Sequence, residues 1–380
     1  MSSTGDRIFF IDLLRGIAVV VMVMGHSIDS VLTAQVRTTE LFRLYDFLRG
    51  FTAPVFLFVS GLAFNVATLK RWDEYRRFGP LLTWRLLRIL FLFIIGYALH
   101  MPFFSFDKIL HHTTEAGYSQ FFQADVLHCV AATLLLLHAL MFLSPSQHRF
   151  AIFTAIAGTV LIVAAPAVWR LDFAHIFSPV IAPYLNRQEV TIFPLFPYGA
   201  YLLAGVATGH YYLRLKGAGS ESRFPSMIMS IGALIGTTSL LLDLLPLTVF
   251  PVHDFWKANP AIFAFRLSVV FMITAATFGL RDLPDQVVKN VVVLGQYSLF
   301  VYTFHILVVY GSAMNSGLAQ VIGQSLSFVQ SAGVGFLVLL FVLCVVRTWK
   351  SLQTRHREPT RYLQAALASS LLLLFLIRPY

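Results

Sequence analysis

The sequence predicts an all-α bundle of ten or eleven membrane-spanning helices, with the N-terminus in the cytoplasm. Three observations lead there. The 380 residues are 57% hydrophobic and only 12% charged, with a mean hydropathy of +0.75; a soluble domain carries about 25% charge. Apolar runs of about 20 residues, the length that crosses a bilayer, recur along the chain. Basic connections separate several of them, and 36 Phe and 14 Tyr suit lipid-facing surfaces and interfacial belts.

Spans are expected at 8–32, 50–69, 82–104, 121–143, 149–169, 191–213, 226–248, 260–280, 287–312 and 327–347, with a shorter stretch at 363–377 as an eleventh. "MSSTGDR" leads straight into the first run without a small-residue cleavage site, so that run reads as a permanent anchor. The 70–88 connection carries Lys70, Arg71, Arg76, Arg77, Arg85 and Arg88. Positive charge favours the cytoplasmic side, which places this connection and the N-terminus inside. Segments 33–49, 105–120, 170–190 and 249–259 then lie outside. No separate soluble domain interrupts the pattern, so 1–380 reads as one membrane domain. The net charge of +10 fits basic loops beside anionic lipid, not a nucleic-acid partner. Cys129 and Cys344 lie in apolar stretches, without disulfide or metal-ligand spacing, and no metal is expected.

Against this background, ionisable residues inside spans stand out. Each costs ~2.5–3.5 kcal/mol at a helix centre on insertion scales, so such residues tend to face a bundle interior or a wet cavity. The first span, "IDLLRGIAVVVMVMGHSIDS", carries Asp12, Arg15, His26 and Asp29. Asp12 and Arg15 are three apart and share a face, as do His26 and Asp29. The second pair is the spacing of an imidazole oriented by a carboxylate. Arg15 and His26 lie roughly 16 Å apart along the axis and on nearly the same face. One helix thus offers a cation toward the inside and a general base toward the outside.

"DLLRGIAVVVMVMGH" resembles the opening of membrane-bound acyltransferases. Arg15, ten residues, then His26 is the arginine-x10-histidine pattern of the acyltransferase-three family. "FTAPVFLFVSGLAF" (51–64) is similar to the second-helix signature of a sister family, the bacterial homologues of heparan-α-glucosaminide N-acetyltransferase. So are "QADVLHCVAATLLLL" (123–137), "FPLFPYGAYLLAGVATG" (193–209) and "LGQYSLFVYTFHILVVYG" (294–311). The stretches occur in order over most of the chain. The resemblance implies transfer of an acyl group, usually acetyl, from cytoplasmic acyl-CoA to a sugar outside, with the histidine of the first helix as base. There is one departure. The animal enzymes have asparagine at the position of His26 and place their histidine in the following loop; here 33–49 has none. His26 is therefore expected to do that work itself, with Asp29 beside it. Direct transfer and a route through acetyl-histidine both fit.

Further candidates follow from this picture. Arg15, Arg85, Arg88 and Arg266 are expected to hold CoA phosphates. Arg266 lies within a span, and Asp243 is its candidate partner. Asp125 and His128 repeat the carboxylate–histidine spacing. With Lys257, Ser298, Tyr302 and His305 they are candidates for the acceptor cleft, a glycan or amino sugar. The expected setting is a bacterial inner membrane. A homodimer is compatible with the family resemblance, though no residue argues for it. A secondary transporter or flippase for a glycan or lipid-linked substrate is the alternative, since it too needs many spans and buried charges.

Overall fold

The computed structural model describes residues 8–186, 191–244, 250–251, 254–280 and 286–378. The N-terminal 1–7, the last residues of the expected 226–248 span and parts of the 170–190 and 249–259 connections fall outside the described residues. Among the described residues the protein is all-α apart from a hairpin of two short strands, Gly311–Ser312 with Asn315–Ser316, and an isolated bridge between Leu32 and Leu326. Among the described residues, nine helices are long and apolar enough to cross a membrane. A tenth span results if the bent pair Gln286–Gln296 and Ser298–Val309 is counted as one. This is an integral membrane protein of the polytopic helical class.

The chain forms two compact units. The first takes residues up to Arg15, then Gly50–Gly96 and Phe122–Pro284. Its centre is helix Leu195–Gly217, expected as a span at 191–213. This helix is long enough, but Gly, Tyr, His and Arg dilute it and it is not among the nine. It is instead buried along most of its length, packed on helices Thr52–Leu69 and Gln147–Val168. Helix association in lipid relies on close backbone approach, which small residues permit. A Cβ on Gly205 would collide with the Phe58 carbonyl oxygen, and one on Gly61 with that of Leu202. Neither obstacle is a flexible side chain. Gly205→Ala is therefore expected to cost ~3 kcal/mol or more, read as a lower Tm and folded yield in detergent; an unchanged Tm would contradict this packing. At one end of the unit Phe10, Tyr212, Phe224 and Phe278 form a buried aromatic cluster with ring centroids 5.0–6.4 Å apart.

The second unit takes Gly16–Arg49, Tyr97–Phe121 and Asp285–Tyr380. It holds most of helix Phe9–Val31, whose end is tied down. Leu326 N–H donates to Val31 O and Thr33 N–H donates to Leu326 O, each at 3.0 Å. Beneath these bonds Ile28, Leu32 and Phe42 pack with Tyr45 and Phe328.

Three expectations about this unit are corrected. The 33–49 connection is not simply a loop: Glu40–Arg49 is helical, with Glu40/Arg43 and Asp46/Arg49 ion pairs three apart. With Thr52–Leu69 it qualifies as one 30-residue span, ten residues longer at its start than expected. The 287–312 segment is not one straight span but bends by 86° at Tyr297. The last two helices, Phe328–Arg355 and Arg357–Ile377, both run beyond the apolar stretches expected at 327–347 and 363–377.

Candidate active site

The bend at Tyr297 starts a new helix, Ser298–Val309, and that helix carries His305. Four-residue steps bring Ser298 and Tyr302 near the same face. His305 is fully buried, with Tyr302 packed 5.8 Å from its ring. Its partner comes from the other end of the sequence. His26 Nδ1 lies 2.9 Å from His305 Nε2, and the two rings are nearly parallel, edge to edge, with centroids 5.2 Å apart. Tyr310 stands edge-on to His26 at 5.7 Å.

The proton positions follow from the acceptors. His305 Nδ1 is 2.8 Å from the Val301 carbonyl oxygen, which can only accept, so Nδ1 carries the hydrogen. In a neutral ring Nε2 of His305 is then an acceptor. His26 must donate to it from Nδ1. A neutral His26 is left with its lone pair on Nε2. The tautomer of His26 is thus fixed through one intermediate ring by a backbone carbonyl.

Asp29 does something other than expected. Its carboxylate forms an ion pair with Arg49 and lies 3.9 Å from Arg37, whose guanidinium also donates to the Asp29 carbonyl oxygen at 2.6 Å. The hydrogen bond that His26 makes is to His305 instead. Three-residue spacing permitted the His26–Asp29 contact, but two guanidinium groups outcompete a neutral imidazole for a carboxylate. Arg49 and Tyr45 both come from helix Glu40–Arg49, and Asp29 pins that helix beside His26. Asp29→Asn is accordingly expected to destabilise the protein by ~2 kcal/mol while kcat per folded molecule stays within about threefold. An intact Tm with a hundredfold lower kcat would return Asp29 to the imidazole.

The first unit holds the other candidates. Asp125 caps helix Val126–Leu143, accepting from Leu127 N–H at 2.8 Å and His128 N–H at 3.1 Å. The same Oδ1 lies 2.8 Å from His128 Nδ1, which donates to it. Both residues are buried, and the imidazole lies against Gly96, Phe93 and Tyr184. The carboxylate–histidine contact expected at residues 26 and 29 is therefore found at 125 and 128, where it also serves as a helix cap. Arg15 sits 3.5 Å from Asp12, as expected. Arg85 donates to Thr68 Oγ1 at 2.7 Å and lies over the Tyr75 ring, while Arg88 is exposed. Arg266 donates to the Trp256 carbonyl oxygen at 2.9 Å, and Asp243, expected as its partner, points to the surface. The end of the short helix Phe255–Ala258 supplies that acceptor. Lys257 pairs with Asp254 at 3.2 Å.

Arg37, Arg49, Tyr45 and Tyr310 were not among the sequence candidates. The signal that could have found Tyr45 and Arg49 is the alternation of acidic and basic residues three apart in "ELFRLYDFLR" (40–49), which reads as a helix; Arg37 lies before it, in the turn Val36–Thr38. Tyr310 closes the stretch that already carried His305.

The second unit thus sets a histidine pair, His305 buried and His26 half-buried, beside the Asp29–Arg49–Arg37 cluster of a polytopic helical membrane protein. The chain belongs to the family described as heparan-alpha-glucosaminide N-acetyltransferase, catalytic, whose model matches residues 7–245. Membership implies a membrane acetyltransferase. The matched segment includes His26, Asp29 and the Asp125–His128 dyad; His305 lies beyond it. No curated protein matches the chain.

Proposed function

We propose that this protein moves an acyl group, acetyl by family analogy, from acyl-CoA to a hydroxyl or amine of a sugar, with His26 as the base. The single observation that carries the reading is the His26–His305 contact, which leaves Nε2 of His26 as a lone pair in a partly enclosed site. Nε2 takes the proton of the acceptor nucleophile as that atom attacks the thioester carbonyl. The tetrahedral intermediate then expels the CoA thiolate, which recovers the proton from Nε2. Throughout, Nδ1–H of His26 stays on His305. A positioned base of this kind contributes typically ~10²–10⁴-fold. Attack by Nε2 itself, forming acetyl-histidine before the acceptor arrives, uses the same lone pair.

Tyr302 and Ser298, one and two turns from His305, supply hydroxyls for a polar acceptor. Asp125, His128 and Lys257 have local partners already, so they are weaker acceptor contacts. Among the arginines, Arg15 neighbours a carboxylate, and Arg85 and Arg266 are engaged by Thr68 and Trp256. Exposed Arg88 has room for a phosphate. The positive-inside pattern supports a cytoplasmic N-terminus, with donor and acceptor on opposite faces of a bacterial inner membrane.

The test is incubation of the purified protein in detergent with labelled acetyl-CoA and a panel of amino sugars and glycans. Release of CoA thiol together with label in the sugar is expected, because no sealed compartment is needed. Movement of a glycan across sealed vesicles without CoA release would replace this reading with the transporter alternative.

A further inference from the structure

Helices Gln286–Gln296 and Phe328–Arg355 pack against each other in the second unit. Between them lies an open pocket of about 400 Å³. Lys289, Arg347, Lys350 and Arg355 contribute to its lining, with Asn290 and Ser351 between them. The lining contains four cations and, among the described residues, no carboxylate.

Basic residues at a helix end can be explained by membrane topology alone, but the placement of these goes further. On helix Phe328–Arg355 the buried stripe runs Val338, Val342, Val346. The next four-residue step on that stripe is Lys350, which is half-buried. A cation that serves only as a topological marker points to water; this one continues the face that packs inward. Arg347 is turned across to the side-chain oxygen of Asn290, so its guanidinium is held toward the opposite helix. Four like charges gathered in one concavity repel each other, and a multiply charged anion relieves that repulsion while accepting charge-assisted hydrogen bonds. Asn290 and Ser351 add neutral polar groups of the kind that orient phosphate oxygens.

We propose that this pocket binds a phosphorylated ligand through Lys289, Arg347, Lys350 and Arg355. Two sources share that chemistry: the phosphates at the nucleotide end of CoA, and the phosphodiester headgroup of an anionic lipid. The first source rests on the acyl-CoA reading above; the second does not.

The experiment compares the full-length wild-type protein with Lys350→Gln/Arg355→Gln, which leaves the Arg347–Asn290 link in place. Adenosine 3′,5′-bisphosphate binding is measured calorimetrically in zwitterionic nanodiscs, and phosphatidylglycerol retention by native mass spectrometry. Ser351→Glu, which adds a carboxylate without removing a cation, repeats the comparison in case the double variant folds poorly. A loss of fivefold or more, stronger at low salt, is expected for one of the two probes. Loss of the bisphosphate assigns the nucleotide, and loss of the lipid assigns the headgroup. Losses below fivefold for both probes, or a wild-type protein that binds neither, would overturn the proposal. Both readouts are binding measurements without turnover, so failure of acetyl transfer is seen separately.

Discussion

Replacing His26 by alanine is expected to lower acetyl transfer at least ~10³-fold, with the affinity for CoA within about threefold of wild type. The size of the effect follows from the hydrogen-bond chain. The Val301 carbonyl fixes His305, His305 fixes His26, and what emerges is one lone pair on Nε2. Removing the ring removes the base and any acyl-histidine route together. Truncation leaves the rest of helix Phe9–Val31 in place, because that helix is held at its end by Leu326 and by the Ile28–Leu32–Phe42 cluster. Turnover within tenfold of wild type would remove His26 from the chemistry. Retained Tm with lost CoA binding would make it a donor ligand instead.

The second large effect belongs to His305. It is a positioning residue in this account, since it acts on the reaction through His26. His305→Leu leaves the Nδ1–H of His26 without its acceptor, so the ring can turn or exchange tautomers, and the base nitrogen is no longer presented. Loss of the group that holds a catalytic imidazole in its tautomer costs ~10²–10⁴-fold in kcat. KM for acetyl-CoA should change little. His305→Gln offers a side-chain carbonyl oxygen to the same proton and should recover at least tenfold relative to His305→Leu. A merely structural role would lower Tm in both variants and show no such difference. Equal kcat in the two, at equal Tm, would contradict the relay.

Much of the fold was legible because lipid imposes one strong rule. A buried backbone must satisfy itself, and the helix does so within a run of about 20 residues. Hydropathy therefore located most spans. The signal is weaker where burial comes from protein instead of lipid: helix Leu195–Gly217, expected as a span at 191–213, is central to its unit yet more polar than the nine spanning helices. It also could not see the 86° bend at Tyr297, because Val292–Val309 is apolar on both sides of the break.

The candidate site was legible residue by residue but not pair by pair. His26 and His305 were both singled out, yet 279 positions separate them and no local spacing links them. Local spacing instead suggested His26–Asp29, and Asp29 went to Arg49 and Arg37, which come from a segment read as a loop. The same rule succeeded at Asp125–His128. There the carboxylate also caps a helix, so the backbone fixes its position before the imidazole arrives. Spacing of three shows that two side chains share a face; it does not show which long-range partner wins.

These two histidines also define the most direct test of the account. A structure of the protein with a non-transferable acetyl-CoA analogue bound would show whether the thioester carbonyl lies against the His26–His305 pair or elsewhere. The expected result places the carbonyl carbon of the analogue, or the acceptor atom beside it, within roughly 3.5 Å of His26 Nε2, a near-attack distance. A carbonyl seated against the Asp125–His128 dyad, with His26 remote from the thioester, would contradict the assignment.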